Sequence, residues 1–169
     1  MSPSARLGTE IAKLSQMRYP VMVVIVADRR VFSPESARQF AESVGLCYVD
    51  YLHDVLDAPG APTLGAYDRV EFLSWLKAKA KESGGVVVDH SDPIITTWPA
   101  KEREAFFREF IRTESRGPTG QNAPIMLVSA LAGSLDLPTE PRGQGLVIRL
   151  AGGAGSSSTG ALTCDDKGA

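Results

Sequence analysis

Three aspartates follow or end apolar runs, and carboxylate oxygens are the ligands that Mg²⁺ prefers in proteins. Asp89 ends the run over residues 86–88, Asp92 comes three positions later, and Asp28 follows the run over residues 21–27. An apolar run that ends in aspartate is a common carrier of a metal-binding carboxylate, so Asp89 and Asp92 are candidate metal ligands. The alternative is an ordinary loop whose side chains satisfy free backbone amides.

Arg29 and Arg30 directly follow the first apolar run and stand next to a helix that Ser33 is expected to cap. Two guanidinium groups beside a helix N-terminus can hold a phosphate by charge-assisted, bidentate bonds. A solvated turn in which Asp28 pairs with one arginine is the other interpretation. Ser129 ends another apolar run, where it is either a phosphate contact or a small strand-end residue. The candidate nucleotide site consists of Arg29, Arg30, Ser33, Asp89 and Ser129.

The first apolar run is not followed by a phosphate-binding loop. Such a loop needs glycine, so that backbone amides can approach the phosphate, and a Lys-Ser/Thr pair that holds phosphate and Mg²⁺. Residues 28–36 contain neither feature. We therefore expect no ATP hydrolysis, while binding of ATP with Mg²⁺ stays open as a role for the same residues.

Strand-like and helix-like patterns alternate along the chain. The strands and helices that they predict position these side chains. Apolar runs predict strands over residues 21–27, 46–51, 86–89, 124–129 and 145–150. Helical spacing and helix-start signals predict helices over residues 5–17, 34–44, 66–82 and 99–115, with a surface loop over residues 57–63. This order predicts an α/β fold, a three-layer sandwich with a mostly parallel sheet of about five strands. Ligands of such sheets bind at the carboxyl ends of the strands.

Two of the predicted helices carry apolar faces that need cover. The helix over residues 66–82 is expected to bury Val70, Leu73, Leu76 and Ala80. The helix over residues 99–115 is strongly amphipathic, with Phe106, Phe107, Phe110 and Ile111 on one face. Exposure of that second face would indicate a partner surface, because monomers rarely leave such faces open.

Length and composition predict one compact domain. The chain has 169 residues, is 43% hydrophobic and carries a net charge of −2, so it lacks the basic excess of a sequence-independent nucleic-acid binder and no direct nucleic-acid binding is expected. Neither a signal peptide nor an apolar stretch of membrane-spanning length is present, which predicts a cytoplasmic protein. We divide the chain into an N-terminal helix packed on the core (1–19), an α/β domain (20–150) and a disordered Gly/Ser-rich tail (151–169).

The order of these elements resembles the small P-loop NTPase-like proteins of bacterial BREX phage-exclusion clusters. The resemblance spans residues 20–150 and rests on the order of strands and helices, on the acid-ended strand 86–89, on Ser115-Arg116 and on the strand 125–129. It implies that Asp89 is a Walker B carboxylate and that Ser129 stands where such proteins place a sensor of the γ-phosphate. That family carries an intact Gly-Lys-Ser/Thr loop, which this chain lacks.

The resemblance therefore implies a degenerate, non-hydrolysing accessory protein of anti-phage defence. Such a protein would act through the other proteins of a multi-component assembly, and association into a homo-oligomer is compatible with that role. Two alternatives stay open. Asp28, Asp89 and Asp92 together resemble the acidic constellation of Toprim-type nucleases and phosphotransferases. In that family the acid of the first strand is typically a glutamate followed by glycine, and this chain has neither. Arg29 and Arg30 would instead serve a nucleotide-sensing switch that binds without hydrolysis.

Overall fold

The sheet lies at the centre of the fold. The computed structural model describes residues 2–60, 67–140 and 142–151. Its strands are β1 (Val21–Val26), β2 (Cys47–Asp50), β3 (Val86–Asp89), β4 (Ile125–Ser129) and β5 (Leu146–Leu150). They form one parallel sheet in the order β2-β3-β4-β1-β5. The predicted α/β class and the parallel five-stranded sheet are confirmed.

The helices connect these strands. They are α1 (Pro3–Lys13), α2 (Pro34–Ser43), α3 (Arg69–Ser83), α4 (Asp92–Ile95) and α5 (Ala100–Phe110). Short 3₁₀ turns cover Leu14–Gln16 and Leu131–Ser134, and a π-helical turn covers Leu52–Leu56. Across the described ranges, every helix is too short or too polar to cross a membrane.

Successive side chains of β1 point to opposite faces of the sheet and belong to two hydrophobic clusters, one on each face. Val23 lies in a cluster rich in aromatic rings, where α3 and α5 contribute Phe72, Phe106 and Phe110. Val24 lies in a more aliphatic cluster on the opposite face. The aliphatic cluster includes Leu7 and Ile11 of α1, Leu14 of the following turn, and Ala37, Phe40 and Ala41 of α2. Helices therefore cover the sheet on both faces, and the N-terminal helix packs on the core.

Several element boundaries differ from the predicted ones. The helix α1 ends at Lys13, because the chain tightens into a 3₁₀ turn there, and α5 ends at Phe110 rather than near residue 115. The helix α3 begins after Asp68, whose side chain forms a capping box with Glu71. Residue 66, the predicted start, lies outside the described residues, as does most of the predicted tail.

The buried face of α3 also differs from the prediction. Val70 is 57% exposed, whereas Phe72, which we did not place in the core, is fully buried. At 3.6 residues per turn, Phe72 falls on the same face as Leu73, Leu76 and Ala80, while Val70 lies beyond the edge of that face. The expected burial of Val70 is therefore wrong, and the other three predicted positions are buried.

The strand β5 forms one edge of the sheet. Arg149 is exposed within this otherwise buried strand. Its backbone carbonyl accepts a hydrogen bond from Nη1 of Arg6, a residue of α1, at 3.0 Å. A side chain of the N-terminal helix therefore covers one of the backbone groups at this edge.

Candidate functional site

Arg29 and Asp89 form an ion pair across the carboxyl edge of the sheet. Arg29 Nη1 lies 2.7 Å from Asp89 Oδ1, and Arg29 Nη2 lies 2.8 Å from Asp89 Oδ2, which makes the pair bidentate. Arg29 Nε also donates to the backbone carbonyl of Phe32 at 2.9 Å. The Asp89 side chain is fully buried, whereas that of Arg29 is 34% exposed. The loop after β1 thus places a fixed cation on the carboxylate that ends β3.

The Asp89 carboxylate accepts two further hydrogen bonds. The Tyr48 hydroxyl donates to Oδ2 at 3.2 Å, and the backbone N–H of His90 donates to Oδ1 at 2.8 Å. A carboxylate has about four lone-pair sites, so these donors and the two from Arg29 together occupy it. A metal ion would have to displace at least one protein donor before it could bind Asp89.

The environment keeps Asp89 ionised. Burial alone raises the pKa of this carboxyl, but the hydrogen bonds and the charge of Arg29 outweigh burial, so the pKa lies below its usual value. Burial also raises the pKa of Tyr48, and the negative charge of Asp89 raises it further. Tyr48 therefore remains a neutral hydrogen-bond donor to Asp89. The guanidinium of Arg38 lies over the ring of Tyr48, at 4.8 Å from the ring centroid.

Asp92 and Ser129 form a separate link between the end of β4 and the start of α4. Ser129 Oγ donates to Asp92 Oδ1 at 2.6 Å, and the backbone N–H of Ala130 donates to Asp92 Oδ2 at 2.9 Å. Ser129 Oγ in turn accepts from the backbone N–H of Leu131 at 3.1 Å. Both atoms of the Asp92 carboxylate are therefore engaged by the protein, and the Ser129 hydroxyl is engaged twice.

Arg30 does not reach this site. It pairs with Asp28, with Arg30 Nη2 at 2.9 Å from Asp28 Oδ2, and 92% of the Arg30 side chain is exposed. Hydrogen bonds from Arg30 lower the pKa of Asp28 below its usual value. The structure thus shows the solvated turn as the arrangement of Asp28 and Arg30, while Arg29 points to Asp89.

Ser33 caps the helix α2. Its Oγ accepts from the backbone N–H of Ser36 at 3.1 Å, and Pro34 occupies the first turn, as the sequence predicts. This cap fixes where α2 begins, and therefore how many residues form the loop that carries Arg29. Ser33 has a clear structural role in holding that loop.

The three aspartates do not come together as the metal-binding group that the Toprim-like alternative needs. Within residues 2–60, 67–140 and 142–151, no three His, Cys, Asp or Glu side chains are placed to hold a metal ion. Asp28 pairs with Arg30, Asp89 with Arg29, and Asp92 with Ser129. Each carboxylate has its own protein donors, which is the physical reason that the shared site is absent from the described structure.

His90, which directly follows Asp89, is a further member of the site. Its φ of 57° makes it the one non-glycine residue with positive φ in the part of the chain that the structure describes. His90 Nδ1 lies 3.0 Å from Asp50 Oδ2, at the end of β2. The backbone N–H of His90 donates to Asp89 Oδ1. The signal in the sequence was the Asp-His pair at a strand end, but only the fold reveals the contact with Asp50.

The aromatic face of α5 is buried in the aromatic cluster, where Phe106 contacts Phe72 of α3 and Trp98. Phe106, Phe107, Phe110 and Ile111 are each at most 1% exposed. The condition under which this face would indicate a partner surface is therefore not met. Among the described residues, the large hydrophobic side chains that stand exposed are Leu52 and Val70.

Comparison of the chain with protein-family models, with curated proteins and with solved structures found no match.

Proposed function

We propose that this protein is a degenerate P-loop NTPase-like accessory protein, which does not hydrolyse nucleotide and acts through protein partners. The observation that carries the proposal is the bidentate ion pair between Arg29 and the fully buried Asp89. In an active NTPase the corresponding carboxylate serves Mg²⁺, directly or through water. Here an arginine from the loop after β1 takes the place of the metal's positive charge.

The missing phosphate-binding loop and the occupied Asp89 carboxylate both disfavour ATP hydrolysis. In other enzymes, loss of one preorganised donor to a developing charge costs about 2.7 to 4 kcal/mol in the activation free energy. Residues 28–36 lack both the lysine and the glycine cradle, so the loss is larger than for one donor. Mg²⁺ would in addition have to compete with Arg29 for a buried carboxylate that already has its hydrogen bonds.

The order of the strands supports the P-loop-like interpretation. The strand β4 lies between β1 and β3, so Ser129 at the end of β4 stands between the loop after β1 and Asp89. The resemblance to small BREX proteins places a polar residue at this position. A role in a multi-component anti-phage assembly follows from that resemblance, and together with a cytoplasmic location it is part of the proposal.

The proposal is tested by measuring phosphate release from ATP and Mg²⁺ with the purified protein. We expect no turnover above that of Asp89→Ala, with Arg30→Ala as a matched control that alters an exposed ion pair. Turnover that Asp89→Ala abolishes and Arg30→Ala preserves would overturn the proposal.

One observation favours the nucleotide-sensing switch as a second candidate. Arg29 is one third exposed although its partner is buried, so a phosphate arriving from solvent can compete with Asp89 for the guanidinium. Calorimetric titration with ATP and ADP separates the two candidates. A switch requires saturable binding that Arg29→Ala weakens and Arg30→Ala does not, whereas a protein that only binds partners shows no saturable binding.

A further inference from the structure

Arg29 and Asp89 lie at the carboxyl ends of the strands. A second group of charged residues lies at the other end of the sheet, near the amino ends of the strands. It surrounds an open cavity of about 350 Å³. The lining residues are Lys77, Ala78, Lys81, Glu114, Ser115 and Arg116. Ser115 and Arg116 contribute to the resemblance to small BREX proteins, but the proposed function gives none of these side chains a role.

The fold places this cavity near the amino ends of β3 and β4. Lys77 and Lys81 stand one turn apart on the same face of α3, which ends at Ser83, just before β3. Across the cavity, the backbone carbonyl of Ser115 accepts from the N–H of Ala123 at 3.1 Å, two residues before β4 begins. The cavity is thus bounded by the end of a helix on one side and by a hydrogen-bonded turn on the other.

Ser115 lines this cavity and carries a hydroxyl that no described protein group uses. The residue is 2% exposed, and its Oγ has no hydrogen-bond partner among the described residues. A buried hydroxyl without a partner costs about 1 to 3 kcal/mol of folding free energy. A ligand oxygen that accepts a hydrogen bond from this hydroxyl would remove that cost. Ser115 is therefore a candidate ligand-binding residue.

Arg116 is held in place before any ligand arrives. Its Nη1 donates to Asn122 Oδ1. Asn122 Nδ2 donates to the backbone carbonyls of Leu14 and Met17, at 3.0 and 2.9 Å. Since a guanidinium has five N–H groups, Arg116 keeps donors for a further partner. Its position is therefore fixed through Asn122 to the segment that follows α1.

Glu114 offsets only part of the positive charge at the cavity, where three cationic side chains face it. Its Oε2 lies 3.2 Å from Nε of Arg18, and its Oε1 lies 3.7 Å from Nη2 of Arg116. By contrast, Lys77 and Lys81 have no ion-pair partner within the described parts of the chain. The dipole of α3 favours a lysine in its last turn, but it accounts neither for Arg116 across the cavity nor for the unpartnered hydroxyl of Ser115.

We propose that this cavity binds the phosphate group of a small phosphorylated molecule. Lys77, Lys81 and Arg116 supply positive charge for a dianion, and Ser115 Oγ donates a hydrogen bond to a phosphate oxygen. The cavity is large enough for a phosphate with part of the group that bears it, and the side-chain stem of Lys77 together with Ala78 forms an apolar wall. This site is independent of the ion pair between Arg29 and Asp89.

Titration with inorganic phosphate, followed by ³¹P NMR at constant ionic strength, tests the proposal. We expect a saturable shift in the wild type, and affinity at least about tenfold lower in Lys77→Gln and in Ser115→Ala, because each removes a hydrogen bond to a charged group. Lys101→Gln is the matched control, since Lys101 is another exposed helical lysine that lies away from the cavity. Ser115→Ala should leave thermal stability unchanged or raised, because the deleted hydroxyl has no partner.

A phosphate shift that is absent or does not saturate at millimolar phosphate would overturn the proposal, as would equal weakening by Lys77→Gln and Lys101→Gln. Competition experiments identify the source of the phosphate. Glycerol 3-phosphate should displace inorganic phosphate from the cavity. If a single-stranded oligonucleotide without terminal phosphates displaces it more effectively, the cavity is part of a surface for a polyanion and the proposal of a small-molecule site is wrong.

Discussion

Water reaches the two members of the Arg29–Asp89 pair very differently. The arginine side chain is 34% exposed, and the carboxylate is fully buried. Removal of Asp89 leaves a guanidinium that solvent can hydrate. Removal of Arg29 leaves a buried charge whose remaining donors among the described residues are neutral, the Tyr48 hydroxyl and the backbone N–H of His90. The pair is therefore asymmetric, and the two truncations should have different consequences.

We predict that Arg29→Ala destabilises the protein by about 3 kcal/mol at neutral pH, since an uncompensated buried charge remains. In the wild type the pKa of Asp89 is lowered, so the pair contributes stability above about pH 4 that is lost as the pH falls below that value. In the variant, burial raises the pKa of Asp89. Its stability should then fall as the pH rises from about 4, which urea denaturation at several pH values measures.

The control for this experiment is Arg30→Ala, which removes an exposed partner of Asp28 and should change stability little at any pH. The loss of unfolding free energy in Arg29→Ala, compared with this control, should increase between about pH 4 and neutrality. A deficit that is independent of pH would mean that Arg29 acts through packing rather than through the charge of Asp89.

The sequence identifies the residue types of this site better than their partners. Asp89 and Arg29 were both candidates because each follows or ends an apolar run. Their pairing joins positions 60 residues apart and depends on the order of the strands, which local patterns do not specify. Local sequence patterns likewise do not specify the contact of Ser129 with Asp92 or the left-handed backbone of His90.

At the scale of elements, β1, β3 and β4 were predictable because all their residues are buried. Each is a continuous apolar run, which Asp89 ends in β3 and Ser129 ends in β4. Helix starts with a strong cap were also predictable, as at Ser33. Helix ends were less so, because α1 and α5 pass into tighter turns without a glycine or proline at the boundary. The π-helical turn and the short helix α4 carry no periodic pattern and were missed.

The link between β4 and α4 gives a prediction at this scale. Ser129→Ala should destabilise the protein by about 1 to 3 kcal/mol, because it removes a donor to Asp92 and the acceptor for the N–H of Leu131. Chemical denaturation measures the effect, with Ser134→Ala as a control. The exposed Ser134 hydroxyl donates only to the carbonyl of Leu131.

A different result would assign Ser129 another role. If Ser129→Ala keeps wild-type stability but abolishes nucleotide binding, its hydroxyl acts as a ligand sensor, and the contact with Asp92 is incidental. If both stability and binding are unaffected, neither role applies.

At the scale of the whole molecule, the two hydrophobic clusters share the strands of one sheet. Val23 and Val24 are neighbours in β1 and belong to opposite clusters. The tryptophans report on one face only, since Trp98 lies in the aromatic cluster and Trp75 packs against it. Disruption of either face should therefore reach the other through the strands, so that the described domain unfolds as one unit.

Leu14→Ala tests this expectation from the face that contains no tryptophan. Leu14 is fully buried, so its truncation should cost about 2 to 5 kcal/mol. Tryptophan fluorescence and far-ultraviolet circular dichroism should show the same shifted transition in urea. If circular dichroism changes at lower urea than fluorescence, the two faces unfold separately.

The edge strand β5 has a consequence for the behaviour of many copies together. An exposed strand edge offers free backbone groups to another extended chain, and repeated pairing of this kind leads to aggregation. Here an added strand would have to displace the Arg6 side chain from the backbone carbonyl of Arg149 that it covers. The Arg6 side chain of the N-terminal helix thus raises the barrier to addition of a further strand at this edge, which disfavours association of the protein through β5 at high concentration.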